Sequence, residues 1–319
     1  MTVKTAARLA APREFMPESP AVPAPPSAAS QPGPQPAPPA APSWLHGLAW
    51  LTRRFQPKGI DRLVRLIYPP GSTRAIETVV DYDDGLLMHI DTRSFLEWYI
   101  FFYGHFRPEV SKLLNRMLKP GHVAFDIGSN IGMHSIVMAN RVGPTGKVVV
   151  FEPDPHPYAR MRRNLALNGF DWVETHQVAL AEKSGRMQLF LHDDTIGNFA
   201  NASLSVDNVG RETNAIEIDV WSIDDYVARN PIARLDAIKL LAQGVEWDVL
   251  QGARATIAKF RPKIFFLWEP SYWARKALTL ADARAFFASF GYDVHVVEFG
   301  PRHIVRGEVA LGQVLLAVP

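Results

Sequence analysis

The stretch that most narrows the possible folds runs from His122 to Glu152, HVAFDIGSNIGMHSIVMANRVGPTGKVVVFE. Val123–Ile127 is an apolar run holding one acid, long enough for a buried strand and too short for a buried helix. It stops at Gly128, and Gly132 follows. A turn that passes close beneath a ligand calls for residues without Cβ, since a side chain there would hold the ligand away from backbone N–H groups. Met133–Arg141 reads as a helix, and Lys147–Phe151 as a second buried strand ending on Glu152. Strand, glycine turn, helix, strand and terminal acid compose a βαβ nucleotide-binding unit, in which the acid accepts hydrogen bonds from ribose hydroxyls.

The turn itself narrows the nucleotide. Its order, Asp126, Gly128, Asn130, Gly132, has no third glycine spaced as in G-x-G-x-x-G. A dinucleotide fold holds pyrophosphate at the helix N-terminus and gains nothing from a carboxylate in front of it. Asp126 would repel phosphate and attract an amino acid's ammonium group. That chemistry points to S-adenosylmethionine, which joins adenosine, a sulfonium and a methionine tail without phosphate. In this reading Gly128, Ser129, Asn130 and Gly132 lie beneath the tail, and Glu152 faces the ribose.

FDIGSNIGMHS, FEPDPHPYARMRRNLALNG, SIDDYV and IKLLAQGVEWDVLQGA are similar in order and spacing to the FkbM-type methyltransferases, a class I family using S-adenosylmethionine. The resemblance covers Ile76 to the C-terminus. It implies a Rossmann-like α/β fold, a mostly parallel seven-stranded sheet with an antiparallel last strand, and methyl transfer to a hydroxyl of a sugar or natural product. Two positions depart from the family pattern. YGHFRPEV resembles a G-x-Y-E-P-E element with Arg107 where an acid is usual, and the pattern I-K-x-D-x-E/Q-G-x-E has Leu241 in place of its acid. Lys239, Glu246 and Glu269 remain as catalytic candidates by this resemblance. Glu246 is equally explained as a first-turn acid facing the helix dipole.

Net charge is +2, with 34 basic residues set against 32 acidic ones, so no general nucleic-acid affinity is expected. There are no cysteines, which excludes disulfides, thiolate zinc sites and a cysteine nucleophile. No metal site is expected. MTVKTAARLAAPREF lacks the apolar core of a signal peptide, and no stretch approaches the roughly 20 apolar residues that span a bilayer. A cytoplasmic protein is the expectation.

Three regions are expected: a disordered Pro/Ala-rich tail over 1–42, a helix and hairpin extension over 43–118, and the methyltransferase domain over 119–319. The tail cannot bury enough apolar surface to offset its ordering entropy, and PAPP and PQPAPP can form polyproline II. Trp44, Leu48, Leu51 and Phe55 recur at helical spacing behind Ser43, which is placed to cap them. Such a basic, aromatic helix packs on its own domain or lies on a membrane surface or partner. IETVVDY and LLMHID, joined by Asp84-Gly85, read as a hairpin. The aromatic cluster Trp98 to Phe106 is expected to be core for a helix over Pro108–Leu118.

Pro155–Asn168 reads as a helix, and Trp172–Leu180 as one strand with Gln177, Val178 and Ala179 at its carboxyl end. Ligands bind outside such ends, which makes Gln177, Val178 and Ala179 candidates for the adenine pocket. An ordinary polar strand end explains Gln177 as well. Arg186–His192 and Ala215–Val220 read as strands. Between them the polar segment DDTIGNFANASLSVDNVGRE is a candidate acceptor loop through Asn198, Asn201 and Ser203, or a plain surface excursion. Ser222 with Asp225 three positions on matches a capping box.

The expected function is O-directed methyl transfer from S-adenosylmethionine to a small-molecule acceptor. The rival is a cofactor-binding or scaffold protein impaired in catalysis, which Leu241 favours. An NAD-dependent oxidoreductase is disfavoured by Asp126 and the missing glycine pattern.

Overall fold

The structure is a computed structural model and describes residues 42–55, 59–70, 76–83, 85–191, 203–204, 214–297 and 313–319. The tail 1–41, Asp84, Asn198 and Asn201 lie outside the described residues.

The first elements are helices α1 (Ser43–Phe55) and α2 (Ile60–Ile67), the hairpin strands β1 (Glu77–Tyr82) and β2 (Leu86–Asp91), and helices α3 (Phe95–Tyr103) and α4 (Pro108–Met117). The hairpin is antiparallel, and Tyr82 pairs with Leu86, so its loop has three residues rather than two. Asp83 and Gly85 turn it with positive φ. The apolar stripe of α1 faces elsewhere than expected. Leu45, Ala49 and Thr52 are the buried residues, while Trp44, Leu51 and Phe55 are exposed. The reason is polar as well as apolar: Thr52 Oγ1 donates to the Phe102 carbonyl, and Arg53 donates to the carbonyls of Phe101 and Ile100, in the last turn of α3. Ser43 is itself the first helical residue and not a flanking cap.

The chain then alternates: β3 (Val123–Ile127), α5 (Met133–Val142), β4 (Lys147–Phe151), α6 (Pro155–Leu167) and β5 (Val173–His176). Asp154 caps α6 by accepting from His156 N–H, with Pro155 at the first position, where its missing donor costs nothing. The reading of Trp172–Leu180 as one strand is corrected. After β5 the chain leaves the main sheet, and β6 (Ala179–Leu180) joins a second one with β7 (Gly185–Leu191) and β8 (Asn214–Trp221). Helix α7 (Ile223–Arg229) follows, with Ser222 accepting from Asp225 N–H. The Asp225 carboxylate accepts from Ser184 Oγ, so only half of a capping box forms. The remaining elements are β9 (Ala237–Leu240), α8 (Glu246–Gln251), α9 (Arg254–Phe260), β10 (Lys263–Trp268), α10 (Pro270–Ala274), α11 (Leu280–Ala288), β11 (Asp293–Val296) and β12 (Gln313–Val318).

Among the described residues the main sheet has seven strands in the order β11-β12-β10-β9-β3-β4-β5. β12 is antiparallel to both neighbours, whereas β10, β9, β3, β4 and β5 pair in parallel. This is the expected Rossmann-like α/β architecture. Alternation divides each strand between two cores: Ala124 and Val148 join the cluster under α5, and Phe125 and Val149 the opposite one.

The cluster under α5 also contains Leu45, Val64, Trp98 and Phe102 from the N-terminal elements. Polar side chains of α6 hold the hairpin to it. Buried Asn164 accepts from His89 N–H at 2.8 Å and donates to the Ile131 carbonyl at 2.9 Å. Asn168 accepts from Leu87 N–H and donates to its carbonyl, as a neighbouring strand would. Arg160 is ion-paired with the buried Glu97, which also accepts from Asp91 N–H.

Candidate functional site

Chain order in the sheet reverses at β3: β4 and β5 lie to one side, β9 and β10 to the other. A crevice opens at such a switch point, outside the carboxyl ends of the strands. The structure has a cavity there, open to solvent on one side, at the place where open α/β sheets take small-molecule ligands. Ile127 and Gly128 close β3 into it, Phe151 and Glu152 close β4, and Leu241 and Ala242 close β9. Val178, Ala179 and Leu180, Leu189 of β7, and Ser203 with Leu204 add the wall that the second sheet supplies. Pro153, Asp154, Pro157, Gln243 and Val245 complete the lining with Asn130.

Glu152 is the central polar group. Its Oε2 accepts from Asn130 N–H at 2.7 Å and its Oε1 from Asp154 N–H at 3.1 Å. Burial pushes its carboxyl up to about 7, against those two N–H groups, which pull it down. Asn130, with φ 54, holds the left-handed conformation that aims its N–H at Glu152, and its own side chain accepts from Ile131 N–H. Asparagine is among the residues that tolerate this conformation.

Protein packing by itself excludes a side chain at both glycines. A Cβ on Gly128 would lie 2.1 Å from the Leu241 carbonyl oxygen, and one on Gly132 would lie 2.8 Å from Met161 of α6. Gly128 nevertheless lines the cavity; Gly132 does not. Ser129 is buried, and its hydroxyl donates to the Asn130 carbonyl.

Asp126 has partners within the protein. It is fully buried and does not line the cavity. In the β3–β9 register it stands opposite Lys239, and their side chains form an ion pair at 2.6 Å. Ser135 Oγ of α5 donates to its second oxygen. Lys239 Nζ donates in addition to the Gly128 carbonyl at 2.8 Å. The pair therefore clamps the glycine turn from below, and an ammonium ligand would have to displace Lys239 to reach it.

The other catalytic candidates have structural partners too. Glu246, buried at the start of α8, accepts from Ala242 and Gly244 N–H groups and shapes the turn after β9; burial pushes its carboxyl up to about 7. Glu269 caps α10 by accepting from Ser271. Lys239, Glu246 and Glu269 are all outside the lining. Gln177 is exposed and outside it, whereas Ala179 is part of it. Next to the turn sits His134, buried, its Nε2 without a hydrogen-bond partner among the described residues. Burial first, then the charges of Lys239 and Arg107, hold it well below its ordinary value, so it is neutral.

Phe151, Pro153, Leu180, Leu189 and Gln243 escaped the sequence reading, which reaches Val178 and Ala179 as a strand end. The strand-end rule alone reaches Phe151 and Pro153, which flank Glu152. Leu189 and Leu180 enter through the second sheet, which no local pattern announces.

The model of the methyltransferase FkbM domain matches residues 126–294, just over half of the chain. The chain is similar to methyltransferase 1 of Beauveria bassiana, at 28% identity over 141 residues, 40% of this chain and 56% of that protein. It is similar to 2-O-methyltransferase NoeI of Sinorhizobium fredii, at 26% over 160 residues, 47% of this chain and 65% of that protein. A third relative, 31-O-demethyl-FK506 methyltransferase FkbM of Streptomyces tacrolimicus, is 28% identical over 162 residues, 42% of this chain and 60% of that protein. The matches span 56 to 65% of these relatives' lengths. Among solved structures, methyltransferase FkbM from Methylobacillus flagellatus KT aligns with 68% of this chain and 52% of its own at 17% identity, with a TM-score of 0.42.

Proposed function

The chain belongs to the FkbM methyltransferase family, and from that premise we propose that it is an S-adenosylmethionine-dependent methyltransferase acting on a hydroxyl of a sugar or natural product. The observation that carries the reading is Glu152, a buried carboxylate at the end of β4 that lines the switch-point cavity. A ribose diol offers two donors to such a group. Phe151, Val178, Ala179 and Leu180 supply apolar walls suited to adenine, and the exposed backbone at Gly128 lies on the side of the methionine tail. The relatives named for 2-O- and 31-O-methylation support oxygen as the acceptor atom.

When bound, S-adenosylmethionine supplies a methyl group already activated on a sulfonium. The residues of this chain then have to bind, orient and exclude water. Holding donor and acceptor at attack distance is worth on the order of 7 kcal/mol or more, and a positioned base adds roughly 100-fold or more. Among the described lining residues, the carboxylates Glu152 and Asp154 are held by backbone N–H groups near the ribose end. At the end of β9 the lining residue is Leu241, which can neither orient a hydroxyl nor accept its proton.

That observation favours a second reading, a cofactor-binding protein with impaired turnover. Release of S-adenosylhomocysteine across a panel of hydroxylated acceptors separates the two. Turnover with at least one acceptor is expected, and Leu241→Asp should raise it, by as much as about 100-fold, with cofactor affinity little changed. Silence from the parent and a gain in the variant support impairment. Robust turnover by the parent that the variant loses assigns Leu241 to a working apolar acceptor pocket.

A further inference from the structure

Ten large hydrophobic side chains are exposed among the described residues, and seven of them fall on α1 and α2. Trp44, Trp50, Leu51 and Phe55 belong to α1; Leu63, Leu66 and Ile67 belong to α2. Trp50 is 63% exposed and Leu66 81%. Both helices already bury one face, through Leu45, Ala49 and Thr52 in α1 and Val64 in α2. The exposed residues are therefore a second apolar surface beside the buried one. In α1, Trp44, Leu51 and Phe55 recur seven and four positions apart, on one side of the helix. In α2, Leu63, Leu66 and Ile67 do the same at spacings of three and four. Exposed apolar side chains gathered on two successive helices, each with a buried face of its own, mark an interaction site.

Charge narrows the occupant. Residues 43–75 contain six basic side chains, Arg53, Arg54, Lys58, Arg62, Arg65 and Arg74, and one acid, Asp61, in a chain whose total is only +2. Arg53 is committed to the carbonyls of α3, and Arg65 lies over Phe95 and Trp98. Arg54 and Arg62 are exposed beside the apolar residues. A second copy docked on the same surface would bring two strongly positive segments together. Residues 1–41 carry three basic and two acidic side chains, so they offer no complementary charge. A nucleic acid would satisfy the arginines but has no use for Leu63, Leu66 and Ile67.

We propose that α1 and α2 form a docking face for an anionic lipid bilayer. Indole rings, aliphatic side chains and arginines on short amphipathic helices match a surface that is apolar a few ångströms below a negatively charged headgroup layer. The face lies on the membrane and does not cross it: no described helix is long and apolar enough to span a bilayer. This surface is separate from the cavity residues, and the proposal stands or falls independently of methyl transfer.

The test is vesicle flotation with the full chain. Binding is expected to vesicles of equal parts phosphatidylglycerol and phosphatidylcholine, weakened by added salt, with little binding to phosphatidylcholine alone. Removing two charges in Arg54→Gln/Arg62→Gln should weaken it about 30-fold, and Trp50→Ser/Leu66→Ser at least about tenfold. Melting curves check both pairs. The four positions are exposed, so unchanged melting is expected, and if one pair unfolds the chain the other decides. No flotation with anionic vesicles, or equal flotation with both compositions, overturns the proposal. So does a stable dimer that the Trp50/Leu66 pair dissociates without any vesicle binding, or RNA binding in place of vesicle binding.

Discussion

At Gly128 the backbone answers two demands at once: φ is 71, and the Leu241 carbonyl oxygen occupies the space a Cβ would need. Gly128→Ala should cost about 1 to 3 kcal/mol from the backbone conformation alone, with the clash in addition; unchanged stability in a denaturant titration would contradict this packing. Glu152 makes a prediction about pH. Its carboxyl is raised to about 7, so near neutrality it is only partly ionised. The ionised form is the stronger acceptor for ribose hydroxyls. Affinity for S-adenosylmethionine should therefore rise with pH through about 7, and the dependence should flatten in Glu152→Gln. A profile identical in both proteins would remove Glu152 from the binding equilibrium. Glu152 was legible because strand, turn and acid follow a spacing that one βαβ unit imposes locally. The role of Asp126 was not, because its partner Lys239 lies more than a hundred residues away and is brought opposite only by the pairing of β3 with β9.

That strand pair governs the element scale. Lys239 and Asp126 are both buried, and Lys239 ties the glycine turn to β9 through the Gly128 carbonyl. Truncating one member of a buried pair leaves the other uncompensated, at a cost of about 3 to 5 kcal/mol. Lys239→Ala should thus lower the melting temperature sharply and weaken cofactor binding. If instead it folds and melts like the parent and loses only turnover, Lys239 is a proton carrier and the clamp is wrong. Elsewhere at this scale, helices bounded by glycine, proline and caps were readable, as α5 and α6 are. Trp172–Leu180 was misread because no glycine or proline marks the point between His176 and Ala179 where the backbone changes sheets. The face of α1 was misread because Thr52 and Arg53 dock on the carbonyls of α3, a polar demand that outweighed the burial of Trp44 and Phe55.

On the scale of the molecule, strand order does what no single motif can. Parallel β3, β4 and β9 direct their carboxyl ends to one edge, and the second sheet walls that edge with Val178 to Leu180 and Leu189. The seven-stranded sheet and its antiparallel β12 were legible from family resemblance; the wall was legible only at Val178 and Ala179, because Leu180 and Leu189 reach it through β6, β8 and β7 meeting across intervening chain. The central claim is that this cavity holds S-adenosylmethionine with Glu152 on the ribose. Titration calorimetry of the parent and Glu152→Ala against S-adenosylmethionine and NAD tests it most directly. The account predicts that the parent binds S-adenosylmethionine and not NAD, and that the variant loses a charge-assisted hydrogen bond of about 1.5 to 3 kcal/mol, a fall of roughly tenfold or more. NAD binding by the parent, or equal S-adenosylmethionine affinity in both proteins, would contradict it.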